Sequence, residues 1–578
     1  MQKFNNLGNL LINIQNNFNN KNFLNYKINN KWQNFSCHEF VIKTQALAIA
    51  LHKKGLKKGD KLANYSYQNP FWLIFDFSAI LAGGITVPFF SNLSQENLFY
   101  QIQDSAVNFF FTDNPEICHK IFLNFPHITL ITNGFKVDYA FSLDELIANE
   151  IENISPELIN KFVNDINPID VATIVYTSGS TSKPKGVEIS HQSLISQVFD
   201  SDEFFNLPND SVVLSYLPLA HIFERMVMCY YLSKGLSIYF VDDVNLLGIY
   251  MREISPNLMT SVPRALEKVF AKINQGIETS NLFKRIIGKL SVKRAIVKNP
   301  LLPKNIFDKI FDKLIYQKFR QALGGKIDMI ICGGSSLSTE LEKFYFNIGV
   351  RIFCGYGLTE CSPVLATNSP KNFRIGTVGK AFPSVQLKLA EDKELLAKGI
   401  NVMSKYHNNP EKTDEVFVDG WFKTGDLAEI DSDGFVKIIG RKSEVFKNSN
   451  GKFIHPVSIE QKLIQNLGYI LGALIIAESK SFVAVLLFID YDLIANLQKK
   501  LGYQQNINNF LESSSLKSYT QEIIDKINND LDQWEQIKKF KIITDKISVE
   551  TNEITPSLKL KRSYLEHKYQ HFINDFYN

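Results

Sequence analysis

The chain lacks paired cysteines, a strong charge of either sign, and a long uninterrupted apolar run. Its six cysteines stand at positions 37, 118, 229, 332, 354 and 361 without a C-x-x-C pair, so neither a zinc site nor a disulfide framework is expected. A net charge of +4 over 578 residues is nearly neutral, and we expect no nucleic-acid partner. The length predicts two or more domains, and the hydrophobic fraction of 45% is that of a globular protein.

The longest apolar stretch, residues 71–90, is interrupted by Asp76, by the Gly83-Gly84 pair and by Pro88. A charged side chain is costly in the middle of a bilayer. We therefore predict a buried helix that ends at the glycines and is followed by a strand. The N-terminal residues show no signal-peptide pattern, and we expect a cytoplasmic protein.

Short apolar runs typical of buried strands alternate with helical patterns along most of the chain. The runs are residues 171–175, 212–216, 236–240, 329–332 and 351–354. This alternation predicts an α/β fold with largely parallel sheets. Residues 1–35 are rich in asparagine and have only short apolar clusters, so we predict that they pack loosely.

The most informative segment is residues 176–191, YTSGSTSKPKGVEISH, which follows the predicted strand at 171–175. Its polar and glycine positions are Thr177, Ser178, Gly179, Ser180 and Thr181, followed by Lys183 and Lys185. Such a loop offers backbone N–H groups, hydroxyls and ammonium groups to one small volume, as polyphosphate binding requires. It is not a Walker A loop, because Pro184 stands where that pattern needs glycine. From these residues alone, an ordinary polar surface loop is the competing interpretation.

Four further motifs follow in order: GYGLTE at 355–360, GWFKTGDL at 420–427, GFVKIIGRKSEVFK at 434–447 and TPSLKLKR at 555–562. Together with the loop at 176–191, they resemble the adenylate-forming superfamily of acyl-CoA synthetases, adenylation domains and firefly luciferase. The resemblance runs from about residue 59 to residue 562. The stretches SYLPLAHIFER at 215–225 and SVPRALEK at 261–268 are similar to the long-chain fatty acid–CoA ligase branch.

The resemblance implies a large N-terminal α/β domain of packed mixed, largely parallel sheets with helices, and a small mobile α+β C-terminal domain. We place the first at residues 1–440, the hinge at 441–443 and the second at 444–578. The implied reaction activates a long-chain fatty acid with ATP and magnesium through an acyl-adenylate. CoA then takes the acyl group as a thioester, and AMP and pyrophosphate are released.

The resemblance also assigns roles to residues of this chain. The nucleotide and its phosphates would be bound by Thr177, Ser178, Gly179, Ser180, Thr181, Lys183, Lys185, Tyr356, Gly357, Asp426 and Arg441. The catalytic residues would be His221, Thr359, Glu360 and Lys559, with Glu360 also the magnesium ligand. These residue types suit those tasks, because an aromatic face can stack on a base and a carboxylate can bind a hard cation or accept from two ribose hydroxyls.

Lys559 is the residue that would bridge the substrate carboxylate and the α-phosphate, where a mobile point charge can meet developing negative charge. Lys561 is the neighbouring alternative, and the spacing from Pro556 favours Lys559. Without the resemblance, a lysine in this basic tail would be interpreted as a solvated charge. His221 would lie at the substrate carboxylate, against the alternative of a purely structural histidine. The chain departs from the family pattern at two serines, Ser182 in the loop and Ser443 at the hinge.

The thiol acceptor and the surface contacts stay open at this stage. An acyl carrier protein could replace CoA as a partner, the reaction could stop at the adenylate, or the protein could be catalytically silent. Residues 281–326 carry twelve Lys or Arg and only two acids, with apolar residues at helical spacing. This region could lie on the inner membrane surface as a peripheral contact or pack its apolar residues into the core.

Overall fold

The computed structural model describes residues 4–177, 183–303, 305–443, 445–449, 452–549, 551, 553–555 and 559–577. Three sheets lie before residue 441, and a short hairpin and a three-stranded sheet follow it. The predicted α/β class with largely parallel sheets is confirmed by the topology of the two largest sheets.

The first of these sheets has seven strands in the order β7-β6-β5-β3-β4-β8-β9. The elements up to residue 190 are α1 (Leu7–Asn17), β1 (Leu24–Ile28), β2 (Lys31–Phe35), α2 (Cys37–Lys53), β3 (Lys61–Tyr65), α3 (Pro70–Leu81), β4 (Ile85–Pro88), α4 (Gln95–Ser105), β5 (Phe109–Thr112), α5 (Pro115–Asn124), β6 (Thr129–Thr132), β7 (Phe141–Ser142), α6 (Leu143–Ala148), α7 (Pro156–Asn164), β8 (Val171–Thr177) and β9 (Lys185–Ser190). All its neighbouring strands are parallel except β8 and β9, which form an antiparallel hairpin.

The second sheet has nine strands in the order β16-β15-β14-β13-β12-β10-β11-β1-β2. Its further elements and helices are α8 (His191–Phe205), β10 (Val212–Ser215), α9 (Ile222–Ser233), β11 (Ser237–Phe240), α10 (Leu247–Ile254), β12 (Leu258–Ser261), α11 (Pro263–Glu278), α12 (Leu282–Val297), α13 (Ile306–Phe311), α14 (Gln317–Ala322), β13 (Met329–Cys332), α15 (Thr339–Asn347), β14 (Arg351–Gly357), β15 (Val364–Thr367) and β16 (Lys380–Ala381). The strands from β14 to β1 are parallel, as the separate apolar runs predict.

A smaller antiparallel sheet follows and ends at the predicted hinge. It is built from β17 (Val385–Leu389), β18 (Glu394–Gly399), β19 (Phe417–Val418), β20 (Trp421–Ile430) and β21 (Val436–Arg441), with α16 (Pro410–Val416) before β19. The C-terminal part contains β22 (Phe446–Lys447), β23 (Phe453–Ile454), α17 (Pro456–Leu467), β24 (Ile470–Ile476), β25 (Val483–Ile489), α18 (Tyr491–Lys500), α19 (Ile507–Glu512), α20 (Ser514–Asn528), β26 (Ile537–Ile543), α21 (Arg562–Lys568) and α22 (Gln570–Tyr577). The order β24-β25-β26 gives this part its own sheet and its own buried core.

The prediction that residues 1–35 pack loosely was wrong for the part described, residues 4–35. Helix α1 buries Leu7, Leu10, Leu11 and Ile14, which recur at helical spacing. The asparagine Asn6 caps the helix by accepting from the Asn9 N–H at 2.8 Å. The short amphipathic pattern of α1 was therefore overlooked because asparagine dominates the composition. The next element, β1, is part of the nine-stranded sheet.

The prediction for residues 71–90 is confirmed. Helix α3 ends at Leu81, the two glycines follow, and β4 then enters the seven-stranded sheet. Asn69 caps α3 and Pro70 occupies its first turn, which is a favourable start for a helix. Within the described residues, no helix is both long and apolar enough to cross a membrane.

Candidate active site

The predicted nucleoside-binding residues converge where β14 meets the antiparallel sheet. The register of β20 and β21 places Asp426 directly opposite Arg441, whose Nε donates to Asp426 Oδ1 at 3.1 Å. Tyr356, near the end of β14, donates its hydroxyl to Asp426 Oδ2 at 2.5 Å. Asp426 is buried, and burial together with this carboxylate raises the pKa of Tyr356 far above its usual value. A buried carboxylate between an aromatic ring and a guanidinium is suited to a ribose below a stacked base.

The GYGLTE motif makes a tight turn at the end of β14. A Cβ on Gly357 would collide with the carbonyl of Pro363, so only glycine allows this approach of the two backbones. The turn continues as a single 3-10 turn from Thr359 to Cys361, with Thr359 and Glu360 both partly exposed. The hydroxyl of one residue and the carboxylate of the next are thus presented beside the nucleoside site.

Glu360 and Lys185 share a contact with a residue that the sequence analysis missed, Tyr406. The Tyr406 hydroxyl donates to Glu360 Oε1 at 2.8 Å, and Lys185 Nζ lies 4.7 Å from the centre of the same ring. No motif marks Tyr406, because it comes from a loop that reaches β9 through an isolated bridge to Val187. Lys185, which follows the predicted phosphate loop, and the predicted metal ligand Glu360 therefore contact the same ring.

The ends of the phosphate loop are fixed by the β8–β9 hairpin. Thr177 pairs with Lys185, and the Thr177 hydroxyl donates to the Lys185 carbonyl at 3.4 Å. Lys183 is exposed, with its Nζ 5.1 Å from the centre of the Tyr100 ring. Four of the predicted loop residues lie outside the described residues: Ser178, Gly179, Ser180 and Thr181.

Magnesium was predicted to bind at Glu360, and the residues present fit that prediction. In the described part of the chain, no group of three or more His, Cys, Asp or Glu side chains could hold a metal ion alone. Magnesium bound with a nucleotide takes one or two carboxylates, several waters and phosphate oxygens. The partly exposed carboxylate of Glu360, which shares Tyr406 with Lys185, matches this ligand set.

His221 stands at the start of α9, where its Nδ1 accepts from the Phe223 N–H at 3.2 Å. Burial and the positive charge of Lys559 lower the His221 pKa from its usual 6.5 to about 4. The imidazole is therefore neutral at pH 7, and with Nδ1 accepting, its proton lies on Nε2. His221 thus has one N–H that a carboxylate oxygen can accept from.

Two buried charge clusters hold the start of α9 in place. Arg225 donates to both oxygens of Asp76 at 2.8 Å, and both side chains are 2% exposed. Glu224 accepts from the Ser215 hydroxyl at 2.6 Å and the Thr260 hydroxyl at 2.5 Å, and burial raises its pKa to about 7. The sequence analysis assigned no role to these residues. The sequence signal that could have indicated the buried pair is a charged residue inside an apolar run, Asp76 in FWLIFDFSAIL.

Arg225 also ties two strands of the first sheet to α9. It donates to the Thr86 hydroxyl on β4 at 2.6 Å and to the Thr173 hydroxyl on β8 at 2.5 Å. Since β8 leads into the phosphate loop and α9 begins next to His221, the buried guanidinium fixes both relative to each other.

Lys559 reaches this site from the C-terminal part of the chain. Its carbonyl accepts from the Thr555 N–H at 2.8 Å and its N–H donates to Thr555 Oγ1 at 3.1 Å, so both backbone groups of Lys559 are bonded to Thr555. The next residue, Leu560, packs on Gly472 of β24, where a Cβ would come within 2.8 Å of the leucine. Lys561 instead starts α21, and burial lowers its pKa. Of these two lysines, Lys559 is the one whose charge acts on His221.

Side-chain contacts join the two parts of the chain. Arg264 on α11 donates to Asp490 at 2.8 Å, and Gln275 on the same helix donates to Asn496 at 3.3 Å. At the predicted hinge, Lys442 forms ion pairs with Asp392 at 2.5 Å and with Glu394 at 2.7 Å. Ser443 is exposed and follows this anchored lysine directly.

Replacing the Lys559 side chain gives a direct check of this arrangement. In a Lys559→Met variant we expect the His221 pKa to rise above about 4, because a nearby positive charge no longer opposes protonation. Burial would still keep the pKa below 6.5. Histidine NMR titration of both proteins measures the shift. An unchanged or lower His221 pKa in the variant would contradict the proximity of the two side chains.

The two parts of this α/β chain match two models of one class of enzyme. Residues 14–407 match the family described as "AMP-binding enzyme", and residues 444–578 match the description "AMP-binding enzyme C-terminal domain". The chain belongs to the AMP-binding enzyme family. The membership in the adenylate-forming superfamily inferred from the motifs is thereby confirmed.

Curated relatives carry the names of fatty acid–CoA ligases. Long-chain-fatty-acid–CoA ligase FadD15 of Mycobacterium tuberculosis is 28% identical over 564 residues, which cover 95% of this chain and 93% of the relative. Long-chain-fatty-acid–CoA ligase 5 of Rattus norvegicus is 28% identical, over 95% of this chain and 84% of its own. The putative fatty-acid–CoA ligase fadD11 of Mycobacterium tuberculosis is 31% identical, over 71% of this chain and 74% of its own.

Solved structures share the fold at low sequence identity. The adenylation domain of a carboxylate reductase from Mycobacterium chelonae superposes with a TM-score of 0.79 at 18% identity, over 99% of this chain and 91% of that one. The o-succinylbenzoate CoA synthetase of Bacillus subtilis, in complex with its acyl-adenylate intermediate, gives a TM-score of 0.69 at 20% identity, over 98% of this chain and 99% of that one. These similarities establish the architecture of both parts of the chain.

Proposed function

We propose that this protein is an ATP-dependent long-chain fatty acid–CoA ligase. The carrying observation is that the charge of Lys559, from the C-terminal part, acts on the imidazole of His221 in the large part. A carboxylate becomes reactive when one of its oxygens attacks the α-phosphate of ATP and pyrophosphate leaves. That step needs a hydrogen-bond donor for the carboxylate and a cation for the charge that develops on the phosphate.

The other side chains supply the remaining requirements of the first half-reaction. Asp426 accepts from the ribose hydroxyls, and the Tyr356 ring lies under the adenine, with Arg441 adding positive charge. Lys185, Thr359 and the loop between β8 and β9 hold the phosphates. Glu360 would hold magnesium together with phosphate oxygens, and such an ion would supply positive charge to the phosphates.

His221 and Lys559 divide the work at the reacting carboxylate. The Nε2–H of His221 donates to one carboxylate oxygen and orients the other towards phosphorus. Lys559 bridges the attacking oxygen and the α-phosphate, where negative charge accumulates in the transition state. A neutral imidazole suits this task, because it orients the carboxylate without adding a second charge that would compete with Lys559.

For the second half-reaction we propose a rotation of residues 444–578 against residues 1–440. Lys442 is anchored on the large part by Asp392 and Glu394, so the rotation begins at Ser443 within the hinge 441–443. It withdraws Lys559 and brings the β22–β23 hairpin to the adenylate. The CoA thiol then attacks the acyl carbon and AMP leaves.

The substrate class rests on the relatives that match nearly the full chain. Two of them are named long-chain-fatty-acid–CoA ligases and match over 95% of this chain. A long acyl chain gains about 0.8 kcal/mol for each methylene that it buries in an apolar tunnel. We propose CoA as the thiol acceptor on the same ground.

Release of AMP by the purified protein tests this proposal. With ATP, magnesium and palmitate, we expect AMP only when CoA is also present, in amounts equal to the palmitoyl thioester formed. AMP release that requires palmitate but not CoA would indicate another acceptor, such as the phosphopantetheine of an acyl carrier protein. If no acid of a chain-length panel releases AMP, the ligase proposal is wrong and a silent binding protein remains.

A further inference from the structure

The helical region between β12 and β13 exposes an exceptional share of large apolar side chains. Of the 28 such side chains that are exposed in the described chain, eleven lie within residues 282–314. Phe283 is 71% exposed and Val297 is 70% exposed, so neither is covered by a neighbouring element. A concentration of this kind marks an interaction surface, whereas single exposed apolar residues elsewhere need no explanation.

Helix α12 is apolar on two opposite sides. An α-helix turns by about 100° per residue, and one arc of about that width carries five exposed residues. These residues form the outer face: Leu282, Phe283, Ile286, Leu290 and Val297. The buried residues of the helix lie on the other side: Gly288, Ser291, Val292 and Ala295. The inner side makes the core contacts, so folding does not require an apolar outer face.

The following segment extends this surface. Arg294 of α12 donates to Asp308 at 2.7 Å, and its guanidinium lies 6.0 Å from the ring of Phe307 on α13. Phe311, Ile315 and Phe319 pack towards the core, as one of the two sequence interpretations predicts. Ile306, Phe307, Ile310 and Leu314 are exposed instead and continue the outer face. Some of the apolar residues in the helical pattern of 306–319 are therefore packed against the core, and the others are exposed to solvent.

The same surface is positively charged. Both acids of residues 281–326 are engaged inside the region, Asp308 with Arg294 and Lys298, and Asp312 with Arg320. Three exposed lysines accompany the apolar residues: Lys293 within the outer face of α12, and Lys309 and Lys313 in the segment that follows. Within the described residues, no carboxylate forms an ion pair with any of these three. Their charges therefore add to the apolar surface without a neutralising carboxylate among the described residues.

We propose that residues 282–314 dock on the headgroup layer of an anionic lipid membrane. The apolar side chains enter the boundary between headgroups and acyl chains, and the lysines meet the lipid phosphates. Lysine stems can lie along the apolar residues while the ammonium groups stay among the headgroups. A second copy of this chain is a poor occupant, because a symmetric contact would bring two positive surfaces together.

This docking would place the active site where an acid with a long apolar chain accumulates. That consequence rests on the proposed function, but the docking itself does not. The test below therefore contains neither ATP nor fatty acid, so its failure would leave the ligase proposal untouched.

Vesicle flotation with the full chain tests the proposal. We expect binding to phosphatidylcholine vesicles that contain phosphatidylglycerol at low salt, with little binding to pure phosphatidylcholine and release at high salt. Replacing Lys293, Lys309 and Lys313 by Gln should weaken binding on the order of 100-fold, since each lysine contributes about fivefold near an anionic surface. A matched control replaces three exposed lysines elsewhere, Lys57, Lys371 and Lys517, and should bind as the unsubstituted chain.

A second variant tests the apolar part: Phe283→Ser/Ile286→Ser/Leu290→Ser should lose binding. Its control, Leu123→Ser/Ile169→Ser, changes residues that are 63% and 66% exposed and should retain it. No binding to anionic vesicles, or equal binding by the surface variants and their controls, would overturn the proposal. So would a dimer in light scattering that dissociates in the surface variants without any vesicle binding, because the surface would then join two copies of the chain.

Discussion

Replacing Lys559 by Ala should reduce acyl-adenylate formation by roughly 10²–10³-fold, the cost of removing one group that stabilises charge in a transition state. The Lys559 side chain is exposed and its backbone groups bond to Thr555, so the fold should persist. ATP binding should change far less, because the residues proposed to hold the nucleoside, Asp426 and Tyr356, lie in the large part. Palmitate-dependent exchange of labelled pyrophosphate into ATP, without CoA, measures the loss.

Lys561→Ala is the matched control for that experiment, since it removes the same charge two residues further on. We expect it to retain exchange, because its burial and its place at the start of α21 are unrelated to His221. The Lys559→Ala protein should also convert synthetic palmitoyl-AMP and CoA to the thioester at nearly the normal rate. Loss of exchange in Lys561→Ala together with normal exchange in Lys559→Ala would reverse the two assignments.

Replacing Arg225 by Met should lower the free energy of unfolding by about 3–5 kcal/mol, because Asp76 would be left as a buried charge without its partner. Both side chains are 2% exposed, so water cannot replace the guanidinium. Burial already raises the Asp76 pKa, and losing Arg225 should raise it further. A carboxyl group whose pKa is higher in the folded than in the unfolded state lowers the free energy of unfolding progressively as pH rises above the unfolded-state pKa. The loss of unfolding free energy in Arg225→Met should therefore become smaller as the pH is lowered from 7 to about 4.

Urea denaturation at several pH values measures both effects. The double variant Asp76→Leu/Arg225→Met should recover much of the stability, because it removes the uncompensated charge. As a control, Arg351→Met breaks an ion pair whose partners are 38% and 60% exposed, and should cost at most about 1 kcal/mol. A small, pH-independent deficit in Arg225→Met would contradict the role given to the buried pair.

The fold class was predictable because its evidence is local. The runs 212–216 and 329–332 became β10 and β13 nearly residue for residue, since a short apolar run between turn residues has few other stable solutions. Residues 1–35 were misjudged because asparagine outnumbered the apolar residues that decide the packing of α1. The antiparallel sheet from β17 to β21 went unpredicted as a unit, because its pairing depends on contacts far apart in sequence.

The site was predictable only through the motifs. Asp426 and Arg441 could be named as candidates, and the β20–β21 register explains why they meet. Tyr406 and Glu224 could not, because their positions depend on which strand and loop reach them in three dimensions. Lys559 and His221 are 338 positions apart, and the charge of Lys559 acts on His221 only through the arrangement of the two parts of the chain.

The central claim is that this chain joins a fatty acid to AMP before any thiol takes part. The most direct test is pyrophosphate–ATP exchange by the unsubstituted protein with magnesium and CoA omitted or added in turn. The account predicts exchange that requires both palmitate and magnesium and does not require CoA. Exchange that is absent for every fatty acid tested, or that proceeds without any acid, would contradict it.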